Sequence, residues 1–312
     1  MSMDANQQSE FVRLLQAYHE AQASGDMPAA ESLGAQCLAF AAEDAARHPT
    51  EALRLMGEAD DYESTANWEP AEATRRCVLA LAENEGNQAT ISKAHGDLGS
   101  LFELLGQSDR ALREFQAAVA AARNFDLALL LQTALGQLAR CYLSRGDAPS
   151  AFAAADEAVR IAPAEPECNL SRARALLVRA RCLVALGRTS EAQRDLDVSW
   201  PVLAPLAEAR MFAGYQSGLA NWWEITARIK SEANNLAGAA QALGTAVEYR
   251  RIISNLPQLT GPYKFHWLAC ALQEYGVALA AAGETAAATE AGRESREIRR
   301  RIGTPASAAD PS

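Results

Sequence analysis

LGSLFELLGQSDRALREFQAA, Leu98 to Ala118, decides the fold of this chain. Apolar residues recur on both sides of Gly106 at three- and four-residue spacing, the period of a helix with one buried face. A glycine at the break tolerates the left-handed backbone that ends a helix. Ser108 or Asp109 can then cap the next one. The stretch predicts two antiparallel helices, A over roughly Ile91 to Leu105 and B over roughly Asp109 to Arg123.

The same pattern returns along the chain. Leu98-Gly99, Phe102, Gly106, Ala111, Phe115 and Ala118 make one copy. Leu138-Ala139, Tyr142, Gly146, Ala151, Ala155 and Ala158, then Pro163, make the next; Ala180, Leu183, Gly187, Ala192 and Leu196 make a third. With the turn residue at position 15, repeats start at Phe11, Ala52, Ser92, Gln132, Ala173, Asn221 and Ala269. An alanine recurs at position 20 as Ala30, Ala71, Ala111, Ala151, Ala192, Ala240 and Ala288, where a small side chain lets helix B lie tightly on helix A. Repeats six and seven have Gly244 and Gly292 in place of an aromatic at position 24. Pro201, Pro205, Pro257 and Pro262 mark breaks beside them.

This pattern resembles the tetratricopeptide repeat family, in a bacterial form with repeats of about 40 residues rather than the simplest 34. The resemblance implies an all-α, right-handed superhelical solenoid of about seven stacked antiparallel helix pairs. It also implies a groove lined by the A helices that binds protein or peptide. The expected organisation is a flexible N-terminus over 1–9, one repeat array over 10–302 and a disordered tail over 303–312.

Apolar residues make up 49% of the 312-residue chain, enough for a large continuous core. No apolar run is long enough for a membrane span, and the polar start Met1 to Glu10 lacks a signal-peptide core. A cytoplasmic location is expected. Arginine outnumbers lysine 26 to 3 in an alanine-rich chain, which points to a GC-rich bacterial source. Residues 1–100 hold 17 acidic and 6 basic side chains, a front end that disfavours nucleic acid and anionic membrane. Cys37, Cys77, Cys141, Cys168, Cys182 and Cys270 form no C-x-x-C pair and read as reduced thiols, most of them packed.

In the family, positions 2, 5, 9, 12 and 13 of helix A face the concave side. Here they give an acidic entrance (Asp60, Glu63), a basic centre and an apolar end. The candidate partner-binding residues are Lys93, Arg140, Arg174, Leu177, Arg181, Trp222 and Ile225. Arg174 and Arg181 stand two turns apart on one face, and Arg140 is the equivalent of Arg181 one repeat earlier. Three guanidinium groups can grip an acidic segment through paired hydrogen bonds; they also read as solvated arginines balancing nearby acids. Arg179 stands at a position that normally faces the core. Trp222 and Trp223 point apart, one to the core and one a candidate anchor, whereas Trp200, Trp267 and Tyr263 read as structural.

No catalytic motif, metal-ligand cluster or cofactor loop is present, and His19, His48, His95 and His266 are isolated. The chain reads as a non-enzymatic adaptor or scaffold that binds a peptide or protein segment. The alternative is a regulatory sensor array that binds a signalling peptide or small ligand and changes conformation. An enclosed pocket favours the second and an open groove the first.

Overall fold

The computed structural model describes residues 51–124, 128–162, 169–207, 213–256 and 261–304, with Arg13, Ala17, Ala29, Leu33 and Gln36 as single positions. Within these residues lie twelve α-helices and no strand. They are α1 (Glu51–Ser64), α2 (Trp68–Glu85), α3 (Gln88–Leu104), α4 (Ser108–Arg123), α5 (Ala128–Ser144) and α6 (Ala148–Ile161). The second half holds α7 (Asn169–Ala185), α8 (Thr189–Leu203), α9 (Ala213–Glu232), α10 (Leu236–Ser254), α11 (Tyr263–Ala281) and α12 (Thr285–Arg301). Odd-numbered helices are the A helices and even-numbered ones the B helices of repeats two to seven. The first repeat, with Phe11, His19, Ala30 and Cys37, lies outside the described residues apart from those single positions.

Each A helix packs on its own B helix, each B helix packs on the A helix of the next repeat, and successive A helices also meet directly from α3 through α5 and α7 to α9. Such a stack buries one continuous core, because every repeat offers its apolar face to its neighbours. All six A–B turns carry a left-handed residue: Ala66, Gly106, Gly146, Gly187, Asn234 and Gly283. Position 20 is small where B approaches A most closely; Ala71, Ala151 and Ala192 are fully buried. Gly99 answers the bulk of Phe115 across the same interface, since a Cβ there would sit 2.6 Å from the ring. At Gly244 the missing aromatic comes from the following repeat, as the Tyr275 ring lies against it.

Of the expected caps, Asp147 accepts the Ser150 N–H at 3.1 Å. Gln107 and Arg188 hold the cap positions of α4 and α8 without a side-chain bond, and the Asn67 amide donates to Thr65 instead. Pro201 lies inside α8 and is followed by a 3₁₀ turn, Ala204–Ala207; Pro262 caps α11, and Pro257 falls outside the described residues. Helices α8 and α9 meet less closely than other successive helices. Trp200, Trp222 and Trp223 pack together in this joint, with ring centroids 4.5 and 4.9 Å apart on either side of Trp222.

Arginines tie helices together where the core meets the surface. Arg75 of α2 reaches Asp60 at 2.8 Å and Glu63 at 2.5 Å on α1, and Asp97 on α3 at 3.2 Å. Arg179 of α7 takes both oxygens of Asp195 on α8, at 2.7 and 2.8 Å, and Asp156 on α6 at 2.9 Å. The arginine facing the core in repeat five is thus matched by acids from both flanking B helices.

The solenoid curves until its last repeat meets its first described one. Trp267 of α11 lies 5.0 Å below the Arg140 guanidinium of α5, across the concave side. Tyr263 at the start of α11 faces Glu63 and Arg75. At the far end a Cβ on Gly303 would fall 3.2 Å from Ala66. Ile302 and Thr304 are buried, so the packed part of the chain runs past Gly303, where the tail was expected to begin. Residues 305–312 lie outside the described ones.

Candidate functional site

The closed curvature leaves a cavity of about 360 Å³ on the concave side, at the small end of the range that small-molecule sites occupy, roughly 300–1,000 Å³. Its wall combines guanidinium groups from three helices: Arg140 on α5, Arg174 and Arg181 on α7, and Arg250 on α10. Trp267 closes one side, and Leu177 and Val178 give an apolar floor. Gln132 and Asn221 add polar edges.

Two carboxylates organise this charge. Glu103 on α3 takes Arg140 at 2.9 and 3.3 Å. Burial opposes the Arg140 charge, but Glu103 outweighs it and keeps the guanidinium protonated. Glu224 on α9 sits between Arg181, at 2.6 Å, and Arg250, at 2.8 Å. Burial would push the Glu224 carboxyl up, yet the paired arginines hold it below its ordinary range. Asn221 accepts from both arginines, at 3.2 and 2.7 Å. Arg174 is exposed at the cavity rim.

Of the residues expected to bind a partner, Arg140, Arg174, Leu177 and Arg181 come together here. Lys93 does not line the cavity; its ammonium pairs with Asp97 at 2.7 Å on the outer turn of α3. Trp222 and Ile225 also require correction. Ile225 is fully buried in the core, and the Trp222 indole donates to the Leu196 carbonyl at 3.1 Å within the tryptophan cluster. The expected apolar end of the groove, at Trp222 and Ile225, is instead packed into the core.

The cause is a one-residue slip. The turn residue of repeat six is Asn234, with φ 58°, not Asn235, which accepts the Gly238 N–H as the next cap. A shift of one residue rotates a helix by about 100°. With the turn at Asn234, the concave positions become Asn221, Glu224 and Arg228. Asn221 lines the cavity, Glu224 holds the cavity's Arg181 and Arg250, and Arg228 pairs with Glu274 of α11 at 2.8 Å. Trp267 and Arg250 were missed for other reasons: Trp267 enters through the closure of the array, which no local spacing reports, and Arg250 comes from a B helix, outside the A-helix positions considered. The entrance acids are likewise committed, since Glu63 is buried against Arg75.

Cys141 and Cys182 are buried free thiols, and burial pushes the first up to about 11 and the second to about 12. Cys270 is half-buried and Cys77 exposed, so not all of these thiols are packed; Cys37 and Cys168 lie outside the described residues. Among the described residues no group of three His, Cys, Asp or Glu side chains is placed to hold a metal ion. None of the described helices is long and apolar enough to cross a membrane.

The fold and its cavity define a tetratricopeptide-like helical repeat array, an all-α right-handed superhelical solenoid. No protein-family model matches the chain, and no curated protein matches it. Solved structures do. A Rap protein complexed with Competence and Sporulation Factor is similar with a TM-score of 0.61, over 94% of this chain and 74% of that one, at 13% identity. BtubC from P. vanneervenii is similar with a TM-score of 0.47, over 84% of this chain and 96% of that one, at 16% identity. The TPR-like repeats of a Podosopora anserina putative kinesin light chain give 0.41, over 69% and 97%, at 20% identity.

Proposed function

We propose that this protein is a binding module whose concave cavity takes an acidic group carried by a peptide or protein segment, with no bond made or broken. The observation that carries this reading is the convergence of Arg140, Arg174, Arg181 and Arg250 on one cavity, with Glu103 holding Arg140 and Glu224 holding Arg181 and Arg250. Planar guanidinium groups on rigid helices suit carboxylate, which they bind through paired hydrogen bonds. The apolar floor at Leu177 and Val178 would receive a neighbouring apolar side chain.

The test is affinity capture by the intact chain beside an R174E variant. Arg174 lies at the rim, so the substitution reverses charge without breaking the Glu224 ion pairs. A partner held by the intact chain and lost by R174E is expected. A partner held equally by both moves the binding surface off the cavity and defeats this reading.

A second reading, a sensor array that encloses a short peptide or small ligand, is favoured by the closure itself. Trp267 stands across the concave side against Arg140, so a long segment has no open groove to lie along. The similar Rap structure holds Competence and Sporulation Factor, which supports a ligand in an array of this shape. Capture of a partner that binds through a short excised peptide as tightly as through the whole protein favours the sensor.

A further inference from the structure

Another buried arginine stands one repeat further on, with no counter-ion among the described residues. Arg299 of α12 is 4% exposed. Its Nη2 donates to the Gln273 amide oxygen at 2.8 Å and approaches the Cys270 sulfur at 3.8 Å. Its buried Nη1 has no partner. The preceding repeat shows what this arrangement ordinarily contains. There Arg250 stands 26 residues after Glu224 and bonds its carboxylate, just as Arg299 stands 26 residues after Gln273. In the four repeats before that, the arginine's place is taken by Ala82, Ala122, Ala162 and Leu203, all buried. An arginine thus enters an otherwise apolar core position twice, once with a carboxylate opposite and once with a neutral amide.

A buried guanidinium without an anion is costly to stability. A second unpartnered group lies beside it. His266 is 5% exposed, its Nε2 is 3.6 Å from the Cys270 sulfur, and its buried Nδ1 has no partner. Burial, aided by Arg299, holds this imidazole neutral, with its titration pushed down to about 4. If Nε2 accepts the Cys270 S–H, then Nδ1 carries the proton as a donor. Two N–H groups, at Arg299 Nη1 and His266 Nδ1, on side chains that touch one thiol therefore lack an acceptor among the described residues.

We propose that Arg299, with His266 beside it, is a binding site for a small carboxylate anion, which meets the unpartnered Nη1 and supplies the counter-charge that Glu224 supplies in the preceding repeat. The site does not require that the larger cavity take an acidic partner. Its occupant is either a free carboxylate or the second acid of a ligand already held at Arg174 and Arg181.

The experiment is thermal unfolding of the full chain in sodium acetate against sodium chloride at matched ionic strength. It is run on the wild type, Q273E, R299L and R174Q. Leucine already occupies the equivalent place at Leu203, so R299L is expected to fold. The wild type should gain melting temperature saturably with acetate. Q273E should melt higher than wild type in chloride and lose the acetate response. R299L should lose that response and R174Q keep it. A wild type indifferent to acetate overturns the proposal, as does a Q273E chain less stable than wild type. A response kept by R299L and lost by R174Q overturns it too, because the anion then sits in the larger cavity. If all four results are as expected, two-acid ligands of graded length distinguish the free anion from a bridging one.

Discussion

A single missing methyl group decides how α3 and α4 pack. The Phe115 ring is fully buried and occupies the space a Gly99 side chain would need. Gly99→Ala gains about 1 kcal/mol of helix propensity, but it forces a buried ring to move, which costs about 1–3 kcal/mol. The substitution should therefore destabilise the chain in urea unfolding. The sign should reverse in a Phe115→Leu background, where the helix gain remains and the clash is gone. Destabilisation of equal size in both backgrounds would show that the ring is not the obstacle.

Glu224 carries a heavier load at the same scale, since it is one buried carboxylate between the half-buried Arg181 and the buried Arg250. Glu224→Gln should cost about 3–5 kcal/mol by leaving guanidinium groups uncompensated. The pH dependence follows from the direction of its shift. Its folded pKa lies below the unfolded value, so its contribution is fully present above the ordinary glutamate range. That contribution is lost as pH falls through the folded value. Between pH 7 and pH 3 the wild type should lose more stability than Glu224→Gln. Parallel loss in the two chains would mean that this carboxylate does not report on folding.

At the scale of elements, the turns show what the sequence makes legible. Gly106, Gly146, Gly187 and Gly283 announce themselves, because glycine reaches the left-handed region without strain. Ala66 and Asn234 serve the same turn with a Cβ, and the second led to the slip that moved Trp222 and Ile225 onto the wrong face. Helix period, repeat length and the small residue at position 20 are local signals, and they gave the architecture. Arg140, Arg174, Leu177 and Arg181 were readable because their repeats keep the glycine register. Glu224 was hidden by one residue of offset. Ala66 offers a test of the turn itself, since alanine at φ 57° carries about 1–2 kcal/mol of strain. Ala66→Gly should raise the unfolding free energy by about 0.5–1 kcal/mol once the greater freedom of unfolded glycine is set against that relief. No change would mean that the Cβ contact toward Gly303 is worth as much as the strain.

The whole molecule adds what no repeat contains. Each repeat contributes a small rotation, and the sum brings α11 across to α1, α3 and α5. Trp267 between Arg140 and Arg250, and Tyr263 beside Glu63, then become contacts between residues far apart in the chain. Because neighbouring repeats hold one another, losing these contacts should open the ring without melting it. Tyr263→Ala combined with Trp267→Ala should leave the helical circular dichroism of the chain unchanged. Its radius of gyration in small-angle X-ray scattering should rise above the ~20 Å expected of a compact chain of this length. The same double variant should weaken binding in the cavity, since Trp267 is one of its walls. An unchanged radius would show that stacking curvature alone closes the array, and the cavity would then be a fixed property of the solenoid. An increased radius with binding lost would make closure and ligand capture a single event, in which the last repeat completes a site built by the middle ones.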